Sequence, residues 1–436
     1  MTQTFVRIFI VATAICGITQ IHAQNNSAWE DKFKQLGPAL ATPNNYRTAS
    51  GAPGNAYWQQ RADYTMNIRL DDQNQRIYGD EKIVYFNNSP DVLNYLWLQL
   101  DQNLFSKESD TWKVEQTKIE DRISKNDLED LEPWFDGGFK IDYVQDGSGN
   151  QLAHTVNKTM MRIDLKQPLK PGANFTIKIK WWYNINDRMR LGGRSGYEYF
   201  EDDKNYLYTI AQFYPRMVVY ADNQGWQHKQ FLGAGEFTLN FGNYEVRLTV
   251  PADHIVAATG VLQNPKDVLT AEQIARFEKA KSSETPIIIC TQDEAIQREK
   301  NKLTNEKTWI FKAENVRDFG FASSRKFIWD AQVQPIGDKR PLAMSFYPKE
   351  GNPLWEQYST RLVAHTLKCY SKFTIDYPYP VAISVNAKWI GMEYPMICFN
   401  GGRPEKDGTY SEGTRNSTIS VIVHEVGHNF FPMIIN

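Results

Sequence analysis

Two histidines four residues apart enclose a glutamate in the run His424-Glu425-Val426-Gly427-His428. On an α-helix that spacing projects both imidazoles from one face, close enough to share a metal ion, with a carboxylate beside them. A zinc ion held this way keeps a position open for water, and Glu425 can take that water's proton as it attacks a carbonyl. The chemistry is metal-assisted hydrolysis; the competing reading is a pair of core histidines bonded to backbone groups. Ile419, Val421, Ile422, Val423, Val426, Phe430 and Phe431 make the segment apolar on nearly every side, which predicts a buried helix. Two histidines and a glutamate buried there without partners would be costly, and a bound cation removes the cost. Gly427 weakens a helix by about 1 kcal/mol against Ala, so its missing side chain predicts close approach by a neighbouring element, and Pro432 predicts a bend or an end.

A second carboxylate lies upstream in Ile390-Gly391-Met392-Glu393-Tyr394-Pro395. On an extended segment beside the metal helix, Glu393 could hold a cation such as the α-ammonium of a peptide. A lone Glu in a strand is otherwise a solvated edge residue.

The elements that must position these groups follow from periodicity. Alternation predicts strands over residues 64–70, 82–86 (after a turn at Tyr78-Gly79-Asp80), 95–100, 161–165, 175–182, 237–239, 244–250, 255–258 and 308–312. Thr270 with Gln273 and Thr291 with Glu294 are capping-box signatures opening two short surface helices. Pro335, Gly337 and Pro341 predict a boundary near residues 332–340. Beyond it come a strand over 342–347, a helix over 353–373, a strand over 381–385, a Gly-rich loop over 400–413 and a last helix beginning near 416–418. The division expected is a leader over 24–58 with a short helix near 29–36, an all-β region over 59–332 and an α+β region over 333–436.

With 41% hydrophobic and 23% charged residues the chain is globular, and aromatics at 13% suit large β packing faces. A net charge of -2 without a basic run argues against nucleic acid or an anionic membrane as partner. Arg7, an apolar stretch over residues 8–18 and a small residue at Ala23 read as an export signal cleaved before Gln24, too short and too diluted to be a stable membrane span. The localisation expected is therefore periplasmic or extracellular. Cys290, Cys369 and Cys398 remain after cleavage, an odd number that excludes a disulfide scaffold and reads as buried thiols. Glu201-Asp202-Asp203 is a weaker calcium candidate, since acidic turns are commonly just solvated.

The two segments in this order resemble the aminopeptidase N-like zinc metallopeptidases of the gluzincin type, peptidase family M1, whose members carry Gly-x-Met-Glu-Asn followed by His-Glu-x-x-His. Gln212-Phe213-Tyr214-Pro215 is similar to the family's Gln-Phe-Glu-Pro, and Gly235-Glu236-Phe237, Tyr244-Glu245-Val246, Val250-Pro251-Ala252 and Val256-Ala257-Ala258-Thr259-Gly260 look like its β stretch. The resemblance covers roughly residues 60–436 and implies a saddle-like N-terminal β domain followed by the first part of a thermolysin-like catalytic domain. It implies one zinc ion on His424 and His428, Glu425 as general base, Glu393 gripping the substrate's amino end, and Gly391, Met392 and Gln212 lining the cleft. Peptides are the substrates it implies.

Ile390, Tyr394 and Tyr214 stand where the family has Gly, Asn and Glu. With one anionic anchor gone, a thermolysin-type endopeptidase and a catalytically silent peptide-binding or protein-binding relative stay open beside an aminopeptidase. A third zinc ligand, a Glu, is implied farther along than Asn436, so the expectation is an incomplete catalytic domain, truncated at its C-terminal side, that binds zinc weakly and turns over poorly.

Overall fold

The structure, a computed structural model, describes residues 43–114, 122–129, 134–235 and 238–435. The export signal, the helix expected near 29–36, and Glu236 and Phe237 lie outside the described residues; Thr238 to Asn240 form no strand. The chain divides into Met1–Trp58 and Gln59–Asn436. In the first unit a bridge pairs Arg47 with Pro53. The candidate site lies in the second unit.

Alternating apolar residues build a hairpin of β1 (Arg61–Asp71) and β2 (Arg76–Phe86), paired along their whole length. Asp71 makes the turn by accepting from the backbone N–H of Gln73 and Asn74, both at 3.1 Å. The turn expected at Tyr78-Gly79-Asp80 is not there. Those residues run through the middle of β2, where Gly79 pairs with Ile68. Glycine is needed because a Cβ would lie 2.2 Å from the Trp181 indole; the small residue marks a close approach, not a reversal. The hairpin sits in a seven-stranded sheet with Gly242–Pro251 and Glu306–Val316 on one side and Asn174–Asn184 and Lys140–Asp146 on the other. Two four-stranded sheets and a two-stranded one complete the β-rich part among the described residues.

The candidate site rests on a six-stranded sheet. Its strands are β3 (Ile287–Cys290), β4 (Ile328–Val333), β5 (Leu342–Tyr347), β6 (Val381–Asn386), β7 (Gly391–Tyr394) and β8 (Ile397–Asn400), in spatial order β3-β4-β5-β6-β8-β7. β6 is parallel to both β5 and β8, and β7 returns antiparallel to β8 as an edge strand. Helix α1 (Leu354–Phe373) packs on β4, β5 and β6, and helix α2 (Glu412–Gly427) on β6, β7 and β8 and against α1. The boundary expected near 332–340 does not separate sheets, because β3 and β4 belong to the site sheet. Both expected capping boxes form, and the helix that Thr270 opens packs on β3 and β4. The excursion is thus part of the site's scaffold. Among the described residues no helix is long and apolar enough to cross a membrane.

Candidate metal centre

Helix α2 begins earlier than its apolar pattern suggests. Ser411 caps it by accepting from Thr414 N–H at 3.0 Å, so the polar segment from Glu412 to Ser417 is already helical. Nor is the helix buried all round. Thr418, Ile422, Glu425, Val426 and Gly427 face inward, while His424 is exposed and His428 half-buried. The cost of burying both imidazoles therefore does not arise, and their case rests on geometry.

That geometry is specific. The Nε2 atoms of His424 and His428 lie 3.1 Å apart, with the rings nearly perpendicular at 86°. His428 Nδ1 is 2.8 Å from the carbonyl oxygen of Phe431, which can only accept, so the proton sits on Nδ1 and the Nε2 lone pair is turned toward His424. Without a cation, His424 Nε2–H donates across the gap. Two nitrogens on a tetrahedral zinc would be about 3.3 Å apart, so the pair fits the ion with little movement. The imidazoles also stand at the carbonyl end of the helix, where the backbone dipole favours positive charge. Among the described residues, His424, Glu425 and His428 are grouped with their ligand atoms within 4.8 Å.

One residue on from His424, about 100° round the helix, Glu425 is 6% exposed and faces the edge strand β7. A Cβ on Gly391 would lie 2.7 Å from Glu425 Oε1 and 3.1 Å from Val421 Cγ2. A side chain at Gly391 would thus crowd the carboxylate, and the backbone there is left exposed at the sheet edge. On the other side of the helix, a Cβ on Gly427 would lie 2.7 Å from the Tyr370 ring of α1, the close approach expected there.

Several positioning groups escape sequence reasoning. Asn429 is buried, and its Oδ1 accepts from Met396 N–H at 2.6 Å, fixing the end of α2 to the β7–β8 turn. Thr259 donates to the Pro395 carbonyl at 2.9 Å, so the bend that follows strand Ile255–Ala258 braces the same turn. The only sequence signal for Asn429 is an amide placed among apolar residues immediately after the second histidine. Arg403 forks onto Glu198 at 2.6 and 2.9 Å and bonds Asn386 at 2.7 Å, holding the loop that precedes α2.

Gln212, Met392 and Glu393, expected in one cleft, line a single cavity of about 30 Å³ together with Arg194, Arg216 and Asp318. That volume matches one water molecule or one ammonium group. Glu393 is 4% exposed, so it is not a solvated edge residue. Arg216 is engaged by Asp101 and Asp318, each at 2.6 Å. Tyr214 is fully buried with its hydroxyl 2.9 Å from Asp318, and Tyr394 is buried with its ring 5.6 Å from that of Phe399. Both tyrosines therefore occupy the interior, while Ile390 is half-buried.

Of the cysteines, Cys290 and Cys398 are buried and Cys369 half-buried, all three as free thiols. Burial pushes the Cys398 thiol up, and the nearby carboxylates of Glu425 and Glu393 push it further. In the calcium candidate Glu201-Asp202-Asp203, Asp202 pairs with Lys406 and Asp203 is held by the ammonium groups of Lys326 and Lys349.

No protein-family model matches the chain, and no curated protein matches it. Among solved structures it is similar to an M1 zinc metallopeptidase from Deinococcus radiodurans, at 14% identity and a TM-score of 0.49 over 87% of this chain and 66% of that one. A mutant of the Deinococcus enzyme bound to a Tyr-Ser-Ala substrate is similar at 13% identity and a TM-score of 0.47, over 86% and 65%. The chain thus spans slightly less than two thirds of the first of these structures.

Proposed function

We propose that this sequence belongs to an exported zinc peptidase that removes residues from the free amino end of peptides. The observation carrying the reading is the convergence of two imidazole Nε2 atoms to 3.1 Å while Glu425 sits against the exposed edge at Gly391. Zinc, when bound, polarises a carbonyl and makes water acidic near neutral pH. His424 and His428 would hold it, and the Nδ1 bond of His428 to Phe431 keeps that ring's lone pair aimed. Glu425 takes the proton of the attacking water and passes it to the departing amine. The open edge of β7 pairs with an extended peptide, as edge strands do. Glu393, beside a cavity the size of an ammonium group, receives the peptide's amino end.

The test uses the full-length protein. Glu425→Gln is expected to keep its zinc, measured by elemental analysis, and to lose about a hundredfold or more in kcat on unblocked peptides. Loss of metal together with activity would make Glu425 a ligand and remove it as the base. Glu393→Gln is expected to raise KM for free peptides about tenfold or more with a smaller change in kcat, as loss of a charged contact does. A second reading has an observation in its favour: Arg194 and Arg317 line the same cavity and add positive charge there, beside an Arg216 already held by Asp101 and Asp318. An endopeptidase would cleave N-acetylated and free peptides equally.

A further inference from the structure

The turn between β6 and β7 carries an unusual residue. Trp389 is 76% exposed, far more than a large aromatic usually is. Its φ of +52° lies in the left-handed region, costly for a bulky side chain unless its surroundings impose it. The surroundings here do. Lys388 N–H donates to Glu198 at 3.1 Å, Ala387 N–H to the Asn400 carbonyl at 3.0 Å, and Gly401 N–H to the Ile390 carbonyl at 2.6 Å. The Lys388 ammonium lies 4.5 Å from the ring centroid, over one face of the indole. The turn thus holds a large apolar ring out in solvent on a braced backbone.

Its place along the chain gives this a direction. Trp389 is two residues before Gly391, where β7 meets Glu425, and four before Glu393. A peptide lying antiparallel to β7 with its amino end at Glu393 runs back past Gly391 toward Trp389. β7 is extended only from Gly391, two residues or roughly 7 Å from Glu393, so the ring in the turn beyond it stands past the peptide's first two residues, beside the third or fourth. We infer that Trp389 forms a downstream subsite that stacks on an apolar or aromatic side chain at that position, favouring peptides of at least three residues over shorter ones. The inference rests on the proposed amino-end grip at Glu393.

The test compares Trp389→Ala and Trp389→Phe with the wild type on an alanine p-nitroanilide, Ala-Ala-Ala-Ala, Ala-Ala-Phe-Ala and Ala-Ala-Ala-Phe. In the wild type one of the two phenylalanine peptides is expected to exceed the all-alanine peptide in kcat/KM by about three- to tenfold, the range of an aromatic pair. Trp389→Ala is expected to abolish that ratio and Trp389→Phe to keep part of it. A ratio near one in the wild type, or an unchanged ratio in Trp389→Ala, overturns the subsite. Affinity of Glu425→Gln and of Glu425→Gln/Trp389→Ala for the preferred uncleaved tetrapeptide gives a reading independent of turnover, and equal affinities also overturn it. Failure of the amino-end reading is distinct, since acetylated and free tetrapeptides are then cleaved alike whatever stands at Trp389.

Discussion

In the seven-stranded sheet β1 buries every second side chain, whereas in the site sheet β4 and β6 are buried at all six positions. The first sheet turns one face toward water, and the polar residues of β1 keep to that face. The second is covered by α1 and α2 and contains parallel pairs, which rarely survive with a wet side. Each polar residue inside it must find a partner. Ser345 meets Ser359 at 2.7 Å, Asn400 donates to Ser384 at 2.8 Å, and Asp330 accepts from Tyr347 at 2.6 Å and from Thr360. A polar residue in β1 records which way is out. In the site sheet it finds a partner inside, as Ser345 and Asp330 do with Ser359 and Thr360 of α1, and the metal helix packs against α1.

The sharpest way to break this contrast is Gly427→Ala. The added methyl improves helix propensity, but it lands on the Tyr370 ring between α1 and α2. Thermal unfolding is expected to give a net loss of about 1–3 kcal/mol, relieved by Tyr370→Leu. A stabilised variant would mean the two helices have slack, and α2 is not held as described.

Asp330 offers an intermediate effect with a definite sign. Burial pushes its carboxyl up to about 7, against hydrogen bonds from Thr360 and Tyr347 that pull the other way, with Glu356 and Arg361 acting in opposite senses from α1. The folded state thus favours the protonated form. The stability this contributes is fully present below about pH 4, the unfolded value, and is lost as pH rises through 7. Denaturant unfolding of the wild type is expected to show a decline of up to about 1.4 kcal/mol per pH unit in that window, absent in Asp330→Asn. The same slope in both proteins would place its origin elsewhere.

The smallest effect is expected from Asn67→Ser, on the wet face of β1. Stability should stay within about 0.5 kcal/mol; a larger loss would show that this face is covered and collapse the distinction between the sheets.

Most strands were legible because alternation reports one wet face, and β1 follows its pattern residue for residue. The capping boxes were legible because they are local chemistry. Gly79 misled because a glycine that admits Trp181 looks the same in sequence as one that turns the chain. The start of α2 was missed because a cap at Ser411 and a polar first turn carry no apolar period. The candidate site divides the same way. The spacing of His424, Glu425 and His428 follows from helical geometry alone, as does the pairing of both imidazoles on one face. The sequence by itself determined which groups could do chemistry and how they are arranged on one turn. Only the tertiary structure decided that this turn lies open rather than buried, that Glu425 meets the edge of β7, and that Asn429 locks the two together. Those are contacts between segments distant along the chain, and local periodicity holds no information about them.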